Sequence, residues 1–325
     1  MGICWSIKYV RMVDNPLGDK KKRPQPQTKA ALRYMIEQFS AGKKTYGEPN
    51  TWDVSLVTDM SRLFYAITTF NAPIDLWVTS QVTNMNGMFE RCRLFNQPIT
   101  MDTSQVTNMG YMFLFASSFN QPITMDTSNV INMVCMFSNA SSFNQPITMD
   151  TSQVTNMGYM FSNASSFNQP ITMDTSKVTN MKHMFRGASL FNQPITMDTS
   201  QVTDMGCMFC CASSFNQPIT MDTSQVTFCF EMFAWASSFN QPITMDFSKV
   251  GTIKDRNGRF PRISEVQMFR GASSMTHPVP WMMDASAFQK HNSCIPKPFI
   301  GRVPSRIKSH LLPTTTANNW SNKIM

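Results

Sequence analysis

Residues 95–118 read FNQPITMDTSQVTNMGYMFLFASS, and the first ten of them, FNQPITMDTS, return unchanged at 119–128, 143–152, 167–176, 191–200 and 215–224. A further copy at 239–248 reads FNQPITMDFS, and a longer relative begins at Phe70 as FNAPIDLWVTS. The period is 24 residues from Phe95 to Phe239. A half-copy precedes it from Trp52 (WDVSLVTDMSRLF), and a degraded copy follows at Met275–Ser286 (MTHPVPWMMDAS), which makes about nine units. A fixed period of this size is the mark of a stacked array, and it overrides the two domains that 325 residues would otherwise imply.

Each unit carries two hydrophobic periods. Ile99, Thr100 and Met101 alternate apolar, polar, apolar, as a short strand does. Pro98 sits just before, where a missing N–H is tolerated. Met109, Met112, Phe113 and Ala116 fall at i, i+3, i+4 and i+7, which predicts a short helix with Thr107 or Asn108 as N-cap. A 24-residue unit cannot bury both apolar faces alone, whereas stacking neighbours does so. The expected fold is therefore a repeat solenoid, with one short parallel strand plus one short helix per coil. Strands about 4.8 Å apart would make the array roughly 40 Å long. Stacking also accounts for the 29 Met and 25 Phe, since each unit places Met in the columns of Met101, Met109 and Met112. Unbranched Met fills such columns without demanding one rotamer, so the stripe reads as inward-facing core rather than a soft-metal site.

Charge is distributed unevenly. Residues 1–50 are net +6, residues 51–250 net −6, and residues 251–325 net +8. The repeat body is acidic, which argues against nucleic acid as its partner.

The run FNQxI–(W/M)DTSxVTNMxxMFxxA over about 50–250, and weakly over 266–286, resembles the BspA-like leucine-rich-repeat surface proteins. It is most similar to their Met/Phe-rich subgroup of bacterial and algal repeat proteins. The stretch TKAALRYMIEQFSAGKKTYGEPNTWDVSLVTDM (28–60) resembles that family's N-terminal opening, where a helix covers the first coil. The resemblance implies a leucine-rich-repeat-like solenoid with an N-terminal capping helix, and a non-catalytic adhesive or scaffolding role at a cell surface. The family's strand Trp is kept at Trp77 but becomes Met, one residue shorter, in later units.

Stacking turns single residues into columns. Asp102, Asp126, Asp150, Asp174, Asp198 and Asp222 form one, continued by Asp246 and, in the degraded copy, by Asp284. Neighbouring carboxylates about 5–8 Å apart repel by roughly 0.5–1 kcal/mol each at the dielectric of water, so a compensating group is expected. An Asx-turn within D-T-S-Q supplies one; Ca²⁺ between coils would need six to eight oxygens, more than one Asp per coil offers. Thr100, Thr124, Thr148, Thr172, Thr196 and Thr220 face outward beside the Asp column, with Thr244 beyond. This Thr/Asp face is the candidate ligand surface. Asn96 and its repeats form an amide column expected to satisfy turn backbone groups.

The column of Tyr111 departs from the pattern: Tyr111, Cys135, Tyr159, His183, Cys207, Glu231. Cys210 and Cys211 lie nearby, but no paired CxxC…CxxC spacing supports a Zn²⁺ site. The eight Cys occupy different columns or distant coils, so no disulfide framework is expected. Asn139, Asn163 and Asn319 sit in glycosylation sequons, relevant only to a secreted chain. No phosphate loop, HExxH or GxSxG occurs, and the expectation is no enzyme, no cofactor and no resident metal.

The ends differ from the body. Residues 1–27 are expected to be a disordered basic leader, in which Gly2 and Ser6 match a myristoylation pattern and Cys4 could be palmitoylated. The run Lys20, Lys21, Lys22, Arg23 would reinforce such an anchor at a membrane surface. Residues 28–50 are the capping helix and lead-in, 51–250 the regular repeats, 251–266 a basic insertion, 267–286 the degraded last coil, and 287–325 a basic, disordered tail. The insertion shows as spacing: Val106 to Met112 is six residues, Val250 to Met268 eighteen. Apolar runs fall short of the roughly 18 residues a membrane span needs, and no signal peptide is seen, which leaves a cytoplasmic or lipid-anchored chain. The leading expectation is a non-enzymatic scaffold that binds a protein or glycan through the Thr/Asp face. The alternative is a membrane-tethered or structural spacer whose basic ends carry the interactions.

Overall fold

The computed structural model describes residues 10–13, 22–243, 245–246, 249–250 and 268–276. The insertion 251–266, the stretch 277–286 of the last coil and the tail 287–325 lie outside the described residues.

The first described elements are a strand pair. β1 (Val10–Val13) runs antiparallel to β2 (Arg23–Pro26), with Val10 opposite Pro26 and Val13 opposite Arg23. Within the leader expected to be structureless over 1–27, the described residues 10–13 and 23–26 are thus paired strands, and 1–9 and 14–21 lie outside the described residues. The physical reason is that β2 lies against the first repeat. Asp53 N–H donates to the Pro24 carbonyl at 2.9 Å. The Arg23 guanidinium, expected to be part of a basic run reinforcing a membrane anchor, donates to the carbonyls of Thr51 (2.8 Å) and Trp52 (3.2 Å). Pro24 and Pro26 are buried, and lacking N–H groups they leave no donor there to satisfy.

α1 (Lys29–Ser40) follows at once. Thr28 caps it, its hydroxyl oxygen accepting from Ala31 N–H at 3.1 Å. Ala31, Leu32, Met35 and Ile36 form the buried stripe that packs on the core. On the same helix Arg33 donates to the carbonyls of Leu63 (3.0 Å) and Tyr65 (3.1 Å). In the next repeat the equivalent carbonyls, of Met88 and Glu90, accept from Phe64 and Ala66 of the repeat before. The first coil has no repeat before it, and the guanidinium supplies the missing donors.

From Asp59 onward the repeats stack in parallel. Single-residue bridges run Asp59, Asn84, Asn108, Asn132, Asn156, Asn180, Asp204, Phe228, each paired with the next. The main ladder thus lies in the Asn108 column, not in the Ile99 column where the strand was expected. There, among the described residues, only Ile99–Ile123 and Ile219–Ile243 bridge.

The expected short helix is not formed. Across 109–116 alternate N–H groups leave the coil: Met109, Tyr111, Phe113 and Phe115 donate to Asn132, Val134, Met136 and Ser138 of the next repeat at 2.7–3.1 Å. The residues between close turns on themselves, as Met112 N–H does on Met109 and Ala116 N–H on Phe113. Tyr111 and Phe115 have φ of +61° and +59°, as the third position of a type II turn requires. An α-helix would keep every interior N–H inside the coil and leave the next repeat without donors. Asn108 does cap this segment, its Oδ1 accepting from Gly110 N–H at 3.0 Å. The same Asx geometry recurs at Asn132, Asn156, Asn180 and Asp204.

The core is a set of continuous columns. Phe64, Phe89, Phe113, Phe137, Phe161, Phe185, Phe209, Phe233 and Phe269 stack ring over ring at 4.9–5.7 Å. A second file from Phe70 to Phe239 stands beside it, as in the 3.9 Å Phe113–Phe119 pair. All three Met columns are buried, with Val106 and its repeats between them. Thr79, Thr103, Thr127, Thr151, Thr175 and Thr199 bury hydroxyls that donate to the next repeat's Asp carbonyl at 2.7–2.8 Å. The stack continues past the insertion: Phe233 N–H donates to Met268, and Thr276 N–H to Asn240 Oδ1, 36 residues away rather than 24.

Candidate functional site

The Thr/Asp face is built by the turn that follows Met101. Burial of Ile99 and Met101 drives Thr100 and Asp102 outward, and the same holds at each repeat to Thr220 and Asp222. All twelve candidate residues are exposed: Thr100, Thr124, Thr148, Thr172, Thr196, Thr220, Asp102, Asp126, Asp150, Asp174, Asp198 and Asp222. They form two parallel columns, one residue of each per coil. Thr244 falls outside the described residues, as do Asp284, Gly2 and Cys4.

Much of the hydrogen-bonding capacity of these columns is used within the protein. The hydroxyls of Thr124, Thr148, Thr172 and Thr196 donate to the carbonyls of Ile99, Ile123, Ile147 and Ile171 at 3.1–3.5 Å. Each Asp closes an Asx-turn. Asp102 Oδ1 accepts from the N–H and the hydroxyl of Ser104 at 3.0 and 2.7 Å. Asp126, Asp150, Asp174, Asp198 and Asp222 accept likewise from the serine N–H two residues on. These bonds hold the carboxyls of Asp102, Asp126, Asp174 and Asp222 below the usual carboxylate range; for Asp102 the Asp126 charge opposes them weakly. The turn is thus the compensation that the carboxylate column requires.

The amide column beside it satisfies turn backbone groups of the next repeat rather than its own. Asn96 Oδ1 accepts the N–H of Asn120 in the next repeat at 2.8 Å. The relation repeats at Asn120, Asn144, Asn168, Asn192 and Asn216. Gln145 and Gln169 add amide donations to the preceding Asn carbonyl and Oδ1. These residues stitch coil to coil.

The variable column lies on the other side of the coil, where Tyr111, Cys135, Tyr159, His183, Cys207 and Glu231 all have left-handed φ between +49° and +61°. Tyr159 and His183 stack at 4.3 Å and 11°. Glu231 pairs with Arg270 at 3.7 Å. Burial, then the Lys182 and Arg186 cations, push His183 down to about 4 against the pull of Asp204 and Glu231. Its Nδ1 is buried with no partner among the described residues. The imidazole is therefore neutral at ordinary pH. The unfolded chain protonates it below about pH 6.5 while the folded chain resists to about pH 4, so His183 withdraws stability as pH falls through that window. With the half-exposed ring screened by solvent, this amounts to about 1 kcal/mol. His183→Tyr, matching Tyr159 below it, is expected to remove that part of the acid loss. Urea unfolding of both proteins at pH 7 and pH 4.5 measures it, and an equal loss in the two would refute the assignment.

The comparisons with known proteins agree with the stacking period. A family described as "Mycoplasma protein of unknown function, DUF285" matches at 31–125, 100–173, 124–196, 172–266 and 197–293. The five matches overlap, and those starting at 100, 124 and 172 are offset by one and two 24-residue periods. The chain belongs to this family. The DUF285 matches open inside α1 and run through the last stacked segment, so helix and repeats fall within one family unit. No curated protein matches the chain.

Sequence reasoning missed Arg33 and the left-handed columns. The signal for the columns was present: Gly87 occupies the column of Tyr111, and Gly187 and Gly271 that of Phe115, all with positive φ.

Proposed function

We propose that the chain is a leucine-rich-repeat-like solenoid of the BspA-like kind, acting as a non-enzymatic scaffold that binds a protein or glycan through its Thr/Asp face. The observation that carries this reading is repetition. Six coils present the same outward Thr and Asp in the same Asx-turn setting, which fits a ligand whose own groups repeat along its length. Adhesion at a cell surface is the role such a face would serve. The test is the full-length protein on a glycan array and on immobilised extracellular-matrix proteins. Asp126→Asn, Asp150→Asn and Asp174→Asn together remove three charges while keeping an Asx-turn acceptor at each site. Binding that weakens at least tenfold in the triple variant, with unchanged melting, supports the reading. No binding, or equal binding by both proteins, overturns it.

A spacer is the second reading. It is favoured by the Thr hydroxyls, which are already committed to carbonyls of the preceding repeat. In that case the basic ends carry the interaction, and anionic vesicles should retain the full chain but not one lacking 287–325.

A further inference from the structure

The variable column and the turn beside it bring three thiols together. Cys207, Met208, Phe209 and Cys210 form one of the turns described above, closed by Cys210 N–H donating to the Cys207 carbonyl at 3.1 Å. A turn of this kind holds its first and fourth Cα atoms within about 7 Å, the separation a disulfide needs. The Cys207 and Cys210 side chains pack together in one buried cluster, and Cys210 Sγ lies 3.6 Å from Cys211 Sγ. With Ala234 they make a small cluster separate from the main core, flanked by Phe230. The sulfurs form a chain along the turn, and among the described residues no three Cys, His, Asp or Glu side chains converge as metal ligands.

The three thiols are not equivalent. The hydrogen bond from Cys210 holds Cys207 below the ordinary thiol value, helped by the Arg186 and Lys182 cations and opposed by burial and Glu231. The same bond, with burial, raises Cys210. Burial raises Cys211 as well. Cys92 and Cys135, in other coils, are pushed by burial up to about 12 and about 11. Of Cys92, Cys135, Cys207, Cys210 and Cys211, Cys207 alone is shifted toward the thiolate, and it sits three residues from a second thiol on the same turn. Such a pair is the arrangement redox-active dithiols require.

We propose that Cys207 and Cys210 are a redox-modification site, joined as a reversible disulfide when the protein meets a hydroperoxide. Cys207 Sγ attacks the peroxide oxygen, the O–O bond breaks, and the alkoxide takes a proton to leave as alcohol. Cys207 is then a sulfenic acid. The Cys210 sulfur attacks Cys207 Sγ, its proton and the sulfenic hydroxyl leaving as water. Two thiols are oxidised to one disulfide, and one hydroperoxide is reduced to alcohol and water. Small peroxides are the suitable oxidant class, because Cys207 and Cys210 are only 7% and 5% exposed. A Cys210–Cys211 bridge is disfavoured. It would distort the peptide joining adjacent residues where Cys211, at φ +60°, holds the Ala234 carbonyl through its N–H at 2.7 Å.

The test uses the full chain, reduced, treated with hydrogen peroxide (the smallest hydroperoxide, whose leaving group is released as water), alkylated and digested with trypsin. Cleavage after Arg186 and Lys249 releases one fragment containing Cys207, Cys210, Cys211 and Cys229. The expected fragment carries two alkyl groups, on Cys211 and Cys229, and regains four after reduction. Cys211→Ser should keep the bridge. Cys207→Ser should abolish it, and Cys207→Gly, which suits the +54° φ at that position, does the same without backbone strain. Cys135 lies in the same column but has Ser138 at the fourth turn position, and should stay alkylated. Four alkyl groups after peroxide, a Cys210–Cys211 link, or a bridge surviving in both Cys207 variants overturns the proposal.

Discussion

Phe161→Ala is expected to lower the unfolding free energy by about 3–5 kcal/mol, the range for emptying a buried aromatic site. The ring is fully buried. It stacks on Phe137 and Phe185 at 5.7 Å each and on Phe167 at 4.1 Å. Deleting it removes a rung shared by three repeats, and every neighbour is held by hydrogen bonds that resist collapse into the gap. Phe161 N–H, for instance, is committed to the Met184 carbonyl at 2.9 Å. Because each repeat touches only its neighbours, the loss should also weaken coupling between the two halves of the stack. The variant is expected to unfold in two steps in urea where the parent unfolds in one. Leu190→Ala is the control: that side chain is 55% exposed, and its change should stay within about 0.5 kcal/mol. A Phe161→Ala loss below about 1 kcal/mol would contradict the shared-rung account.

The same column shows what periodicity does and does not encode. Met109, Met112, Phe113 and Ala116 were spaced like one face of a helix, and all four are fully buried. Spacing identifies which residues face inward. It cannot tell an α-helix from consecutive turns with the same repeat of inward positions. What decides between them is where the N–H groups go, and that depends on a partner 23 residues ahead, as in Met109 to Asn132. The left-handed columns were hidden because Tyr, Cys, His, Glu, Asn and Trp occupy most of their positions. The outward Thr/Asp alternation was legible from its period of two, while the commitment of the Thr hydroxyls to the preceding coil was not. Arg33 illustrates the limit most clearly. Its helix is readable from Thr28 and the apolar stripe, but its role follows only from seeing that the first coil has no coil before it.

Asn144→Ala should cost about 1–2 kcal/mol, the net contribution of the two part-buried hydrogen bonds it removes. Asn144 Oδ1 accepts Asn168 N–H at 2.9 Å and the Gln169 side-chain amide at 3.1 Å. Asn144→Asp separates this cause from loss of bulk, since a carboxylate keeps the acceptor and the size. Asp204 already stands in the Asn108 column, accepting Gly206 N–H at 2.9 Å as its asparagine neighbours do. The aspartate variant should therefore retain most of the stability at pH 7. It should then lose stability as its carboxyl is protonated at acid pH, because a protonated oxygen accepts less strongly. Urea unfolding of the three proteins at pH 7 and pH 4 gives both comparisons. If alanine and aspartate were equally destabilised at pH 7, the column would be holding the coils by packing, and the amide bonds from one repeat to the next would not be what fixes their register.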